Sequence, residues 1–377
     1  MSHAIPMPNN SLDKKFLNML LPLRCLQHVV CLSTFTVDGN CIKTHSMRYY
    51  IVSLICILGM MAFRSLLFKN FHYFSYFSTV VRFINENISY VLLFAVLIFY
   101  LIYFIKRRDS VEMISRIQRA FKELNFRCYK RITYWNWIFV LGHLPVFIVS
   151  VLILSDINMV CLTFGIIYFD IHTTSGLRIL SLIREGLLTW ISEVQEYNTK
   201  LCIVNFEDEE TKLHMKKLLQ VYVDLMEAFS IFTKMYQFLI LFLTVDVFCF
   251  MLTYFQEIIE MLVYNVVENE TFLIIQIKIA AGGWVLRRLC YVVYFSSQCE
   301  KFYMTVYEAD ATCSCLLNSF QDTVEMKRLC KNVQRLNRAS FHKMTACHIY
   351  TVDGRLPQQF CRLLFDIVIL LLQFAIL

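Results

Sequence analysis

Glycine and proline are scarce in this 377-residue chain, with 9 and 5 copies. Long stretches hold no breaker, which argues against a turn-rich β architecture and for long helices. Charge is scarce too. Asp, Glu, Lys and Arg make up 17% of the residues against 58% hydrophobic ones, and the mean hydropathy is +0.54. A soluble chain of this length carries more charge. Also missing are Gly-x-x-x-x-Gly-Lys, His-Glu-x-x-His and Gly-x-Ser-x-Gly, so neither an enzyme nor a cofactor is expected. No cleavable leader is evident. The first fifteen residues are polar, and the apolar stretch 16–35 is broken by Arg24, Gln27 and His28. That stretch reads as an amphipathic helix on the inner membrane surface, kinked at Pro22.

What is abundant is apolar and aromatic: 33 Phe and 20 Tyr. A window near twenty residues picks out seven candidate spans, at 47–68, 84–105, 135–154, 157–180, 237–255, 272–296 and 359–377. The expected fold is all-α: a polytopic membrane protein with seven transmembrane helices. Basic residues sort by side. Nine lie between Lys106 and Arg131 alone, while the segment after the fifth span holds Glu257, Glu260, Glu268 and Glu270 and no Lys or Arg. The positive-inside rule then puts the N-terminus in the cytoplasm and the C-terminus outside, opposite to a G-protein-coupled receptor. The net charge of +7 follows this alternation, so nucleic acid is not an expected partner. Asn269 heads a sequon in the acidic outer loop and is the expected glycosylation site. The 15 cysteines avoid the three outer segments, so an extracellular disulfide framework is excluded. Cys313-x-Cys315 lacks a second ligand pair, and no metal is expected.

The chain divides accordingly. Residues 1–46 form a cytoplasmic N-terminus. Residues 47–296 hold six spans, with cytoplasmic helices at 106–134 and 181–236. Residues 297–358 are cytoplasmic helices, and 359–377 form the seventh span. The inner segments carry helical stripes, Ile114, Ile117 and Phe121 in one, and Leu213, Leu218, Tyr222, Leu225, Met226 and Phe229 in another.

Ionisable and amide groups inside spans are functional candidates. The last apolar block is expected to end within the membrane, and a lipid-facing Gln373 would bury its amide unpaired at a few kcal/mol. Gln373 should therefore face protein or water. By depth and sign, Asp366 is expected to pair with Arg287 or Arg288, a structural tie between the last two spans. At outer depth, Tyr254, Gln276 and Lys278 are the ligand-binding candidates.

The ending resembles the insect gustatory receptor family, relatives of the odorant receptors. That family closes its last span with Thr-Tyr, five apolar residues and Gln-Phe. Here Val368-Ile369-Leu370-Leu371-Leu372 precede Gln373-Phe374, while Asp366-Ile367 stand where Thr-Tyr would be, marking a divergent member. Ile349-Tyr350-Thr351-Val352-Asp353 with Leu356 looks like the family's aromatic-x-Val-Asp turn, and Pro357 suits a first helical turn. The resemblance implies a ligand-gated, non-selective cation channel opened by a small-molecule tastant. It implies a homotetramer, or a heteromer with related receptors, in the plasma membrane of sensory neurons, in contact with lipid. Gln373 and Phe374 would form the pore constriction, and the cytoplasmic helices the subunit contact. The rival reading is a secondary transporter of a small solute. Such proteins are rich in internal repeats and Gly/Pro-broken helices; no repeat is visible, and the breakers are Gly282-Gly283 and Pro145.

Overall fold

The scarcity of breakers shows in helix length. The computed structural model describes residues 13–29, 33, 35–38, 41–68, 79–143, 157–201, 208–263, 272–318 and 324–376. These are all-α apart from two short hairpins. In chain order they are α1 (Lys14–Val29), the hairpin β1 (Thr36–Asp38) and β2 (Cys41–Lys43), α2 (Met47–Phe68), α3 (Thr79–Ile105), α4 (Arg107–Glu123) and α5 (Tyr129–Leu141). Then come α6 (Ile157–Leu201), α7 (Asp208–Val263), α8 (Phe272–Leu317), α9 (Val324–Ser340), the hairpin β3 (Thr345–Ala346) and β4 (Tyr350–Thr351), and α10 (Leu356–Ile376). The 56 residues of α7 rise ~84 Å, more than twice the ~30 Å of a hydrocarbon core. Whatever part of it crosses a membrane, the rest projects beyond.

The core runs along α6, α7 and α8. Trp190, Tyr222, Phe232 and Phe302 are fully buried, and the rings of Phe229 and Phe302 stack at 4.1 Å across α7 and α8. Glycine allows α6 to approach α7: a Cβ on Gly176 would come within 2.5 Å of the Tyr236 ring. Polar ties fix the register. Trp190 Nε1 donates to Leu218 O at 2.8 Å, and Tyr222 Oη donates to Asn337 Oδ1 of α9 at 2.6 Å. Asp224, 1% exposed, receives Arg116 at 3.0 Å and Arg119 at 3.1 Å, joining α4 to α7. The stripe Ile114, Ile117 and Phe121 is buried, as are Leu218, Tyr222, Leu225, Met226 and Phe229, while Leu213 is exposed.

Two features differ from the sequence reading. First, the apolar side of α1 packs on protein. Phe16 and Met19 are fully buried. Phe16 meets Phe121 edge-on at 5.9 Å, Asn136 donates to Met19 O at 2.7 Å, and Gln27 donates to Ser175 Oγ at 3.2 Å. The stripe that suggested an interfacial helix is spent on α4, α5 and α6 instead. Second, α3 and α4 are one helical run bent by 64° at Lys106.

Among the described residues, two helices are apolar enough by length and composition to cross a membrane: Glu209–Gln256 of α7 and Leu356–Gln373 of α10. The bent pair Tyr90–Ile105 and Arg107–Glu123 makes a third if taken together, and Met47–Phe63 is a shorter apolar helix. Most of the expected third span, residues 144–154, falls outside the described residues, as does Asn269.

Candidate functional site: the open face of the last helix and the charges behind it

α10 starts where a hairpin ends. The β3–β4 turn passes through Cys347 and His348, both left-handed with φ of 48° and 63°, and closes with Ile349 N donating to Ala346 O at 2.9 Å. Tyr303 of α8, fully buried, holds the strands together from below. Its hydroxyl accepts from Met344 N at 2.9 Å and donates to Val352 O at 2.9 Å, and burial pushes this phenol's pKa up. Tyr350 reaches the other way, its hydroxyl hydrogen-bonded to Thr244 of α7. Gly354 N donates to Glu300 Oε2 at 3.2 Å. The approach to α10 is thus bolted to both α7 and α8.

α10 packs through one side. Leu356, Phe360 and Leu364 are buried, and Phe360 meets Phe248 of α7 at 6.1 Å between ring centres. Opposite them, Gln359, Arg362, Asp366 and Gln373 are all exposed. At 3.6 residues per turn these four fall within an arc of about 60°, turned by roughly 130° from the centre of the packed side. Apolar Leu363, Phe365, Ile369, Leu370 and Leu372 are exposed beside them, as are Gln358 and Cys361. The side chain of Phe374 lies outside the described residues.

The expected pair between Asp366 and Arg287 or Arg288 does not form. Arg287 binds Asp170 of α6 at 3.2 Å, and Arg288 binds Asp246 of α7. Asp366 points away from the bundle, whereas both arginines turn into it. The arginine pair bridges α8 to two neighbours and continues into a polar chain. Arg287 donates to Tyr291 Oη at 3.2 Å, Tyr291 Oη lies 3.3 Å from His143 Nε2, and Thr174 Oγ1 is 3.4 Å from the same nitrogen. Asp170, Asp246 and Arg288 are all less than a tenth exposed, and each charge has an opposite one beside it. Sequence reading found these ionisable positions but matched them by depth and sign, with no knowledge of which way each helix faces. The signal it passed over was the count: two adjacent arginines on one span and one acid on each of two others.

Tyr254, near the far end of α7, packs over Gly282 of α8; a Cβ there would lie 2.7 Å from its hydroxyl. The structure thus brings Tyr254 against the helix that carries Gln276 and Lys278, whose side chains lie outside the described residues. Cys313 is buried and Cys315 exposed. The Cys313 thiol pKa is pushed up, first by its hydrogen bond to Cys330 and then by burial. Among the described residues, no group of three or more His, Cys, Asp or Glu is placed to hold a metal.

No family model matches the chain, and no curated protein matches it.

Proposed function

We propose that this chain is a subunit of a chemosensory ligand-gated cation channel. In this reading it crosses the plasma membrane of a sensory neuron seven times, with its N-terminus inside. It assembles as a homotetramer or with related subunits, opens on binding a small tastant, and conducts along α10. The observation that carries the reading is the stripe Gln359, Arg362, Asp366 and Gln373 on the exposed side of an apolar helix. A carboxylate or guanidinium at the centre of a membrane costs about 2.5–3.5 kcal/mol each when it faces lipid. Two such groups and two amides on one line are accounted for if that line meets water, and a central path among several copies provides it. Support for the remaining spans comes from orientation. The charges of α6 and α8 that lower their apolarity, Asp170, Arg178, Arg287 and Arg288, are turned inward and hydrogen-bonded or ion-paired, which leaves apolar surface for lipid.

The transporter reading has one observation in its favour, the buried pairs Asp170–Arg287 and Asp246–Arg288, since paired charges inside spans also serve ion coupling. Current that follows an agonist with no gradient of a second solute separates the two.

The test is at the outer end of the stripe. Gln373→Glu adds one carboxylate per subunit and is expected to favour divalent cations and block by them, while Phe374→Ala is expected to raise agonist-independent current. Both variants are compared at equal cell-surface level, and Gln373→Glu should reach it in normal amount because Gln373 is exposed. Unchanged selectivity and unchanged basal current in both, at normal surface level, would place conduction away from α10.

A further inference from the structure

The acids within the apolar helices fall into two kinds. Asp170 and Asp246 are buried, and each is matched by an arginine of α8. Asp366 is exposed, and among the described residues no cationic group lies within ion-pair distance of it. It stands across α10 from Phe360 and Leu364, the residues that anchor the helix to its own subunit.

We propose that Asp366 is the cation-attracting ring of the α10 path, taking monovalent and divalent metal cations, and that Arg362, one turn nearer the cytoplasm, opposes it. The proposal rests on the channel reading above and adds a site to it. Asp366 lies seven residues, ~10 Å, below Gln373, and Arg362 four residues, ~6 Å, below Asp366. The stripe therefore presents an amide, then a carboxylate, then a guanidinium along one line. When copies of α10 surround an axis with this side inward, each level becomes a ring of like groups. Carboxylates in a narrow, low-dielectric path concentrate cations. A guanidinium ring one turn away lowers that effect without abolishing it, because Arg362 precedes the carboxylate and does not sit beside it. Ile369 and Leu370 fill the interval up to Gln373 and are exposed, so the carboxylate is the strongest cation ligand on that side of the helix.

The test uses the full chain in proteoliposomes, with K+, Ca2+ and Cl− fluxes read in the Phe374→Ala background so that no tastant is needed. Asp366→Asn is expected to lower Ca2+ and K+ flux relative to Cl− several-fold, and Arg362→Gln to raise the Ca2+ share; effects of opposite sign are not what loss of packing gives. In parallel, Asp366→Cys is expected to react with a positively charged methanethiosulfonate several times faster than native Cys361 or a Leu363→Cys variant. Those two positions flank the stripe, and peptide mass spectrometry locates the label. Equal reaction at 363 and 366 would show no distinct watered side and overturn the proposal. Reaction at Gln373→Cys with none at Asp366→Cys, and fluxes unchanged by Asp366→Asn, would overturn it while leaving the channel reading intact. If neither cysteine reacts and Phe374→Ala passes no ion, both fall.

Discussion

At Gly176 the structure leaves room for a hydrogen and nothing more. The Tyr236 ring occupies the space a side chain would take, and that ring is itself buried. Gly176→Ala gains helix propensity but pushes α6 from α7. A net loss of about 1–3 kcal/mol is expected, read as a lower melting temperature in detergent; an unchanged melt would mean that the ring can move aside. His45 gives a pH-dependent counterpart. Its pKa is lowered from 6.5 to about 4, chiefly by burial, with the nearby charges of His28 and Arg24 adding to it. The ring stacks on Tyr49 at 4.1 Å, and among the described residues its buried Nε2 has no hydrogen-bond partner. The unfolded imidazole takes up a proton that the folded one refuses. Stability from this residue is therefore complete above about pH 6.5 and is lost as pH falls towards 4. In His45→Gln, melts taken above and below that window should differ less than in the native chain.

At the scale of elements, α4 ends as its sequence prescribes. Asn125 is left-handed with φ of 46°. Phe126 N donates back to Phe121 O at 3.1 Å and Asn125 N to Lys122 O at 3.3 Å, and the rings of Phe121 and Phe126 stack at 4.2 Å. This is a Schellman stop with its hydrophobic contact. Asn125→Gly should be tolerated, and Asn125→Val should cost about 1–2 kcal/mol; equal melting of the two would argue against the left-handed stop. Tyr303 is the hinge pin of the approach to α10. Tyr303→Phe leaves Met344 N–H and Val352 C=O without their partner, at a cost of about 1–3 kcal/mol. The expected readout is faster hydrogen exchange in the β3–β4 hairpin with the α8 amides unchanged. Much of this level was legible beforehand. The spacing of Ile114, Ile117 and Phe121 put them on one side, and they are buried. The length of the inner helices followed from missing breakers. What was not legible depended on partners distant in sequence. The stripe of α1 has the same period whether it meets lipid or α5. The bend at Lys106 has no proline or glycine to announce it. The partners of Arg287 and Arg288 depend on which way α8 is rotated, and a depth estimate carries no rotation.

At the scale of the whole molecule, the proposal makes a claim about sides. Residues 106–131, with nine basic residues, belong inside, and Asn269 outside. Asn269→Gln should remove a glycosidase-sensitive mass, and protease added to intact cells should leave 106–131 uncut. Cleavage there would invert the topology and with it the order of groups along α10.

One consequence follows from the unbroken length of α7. It carries Tyr254 near one end, Thr244 under the Tyr350 hydroxyl partway along, and Asp224 in its lower part. A continuous helix of 56 residues acts as a stiff lever. If it pivots at one end, a tilt of about one degree moves the other by about 1.5 Å over its ~84 Å, half the length of a hydrogen bond. A small displacement beside Tyr254 is therefore enough to strain a carboxylate–arginine contact far below it. The attachment through Tyr350 picks up a fraction of the same motion on the way and passes it to the foot of α10.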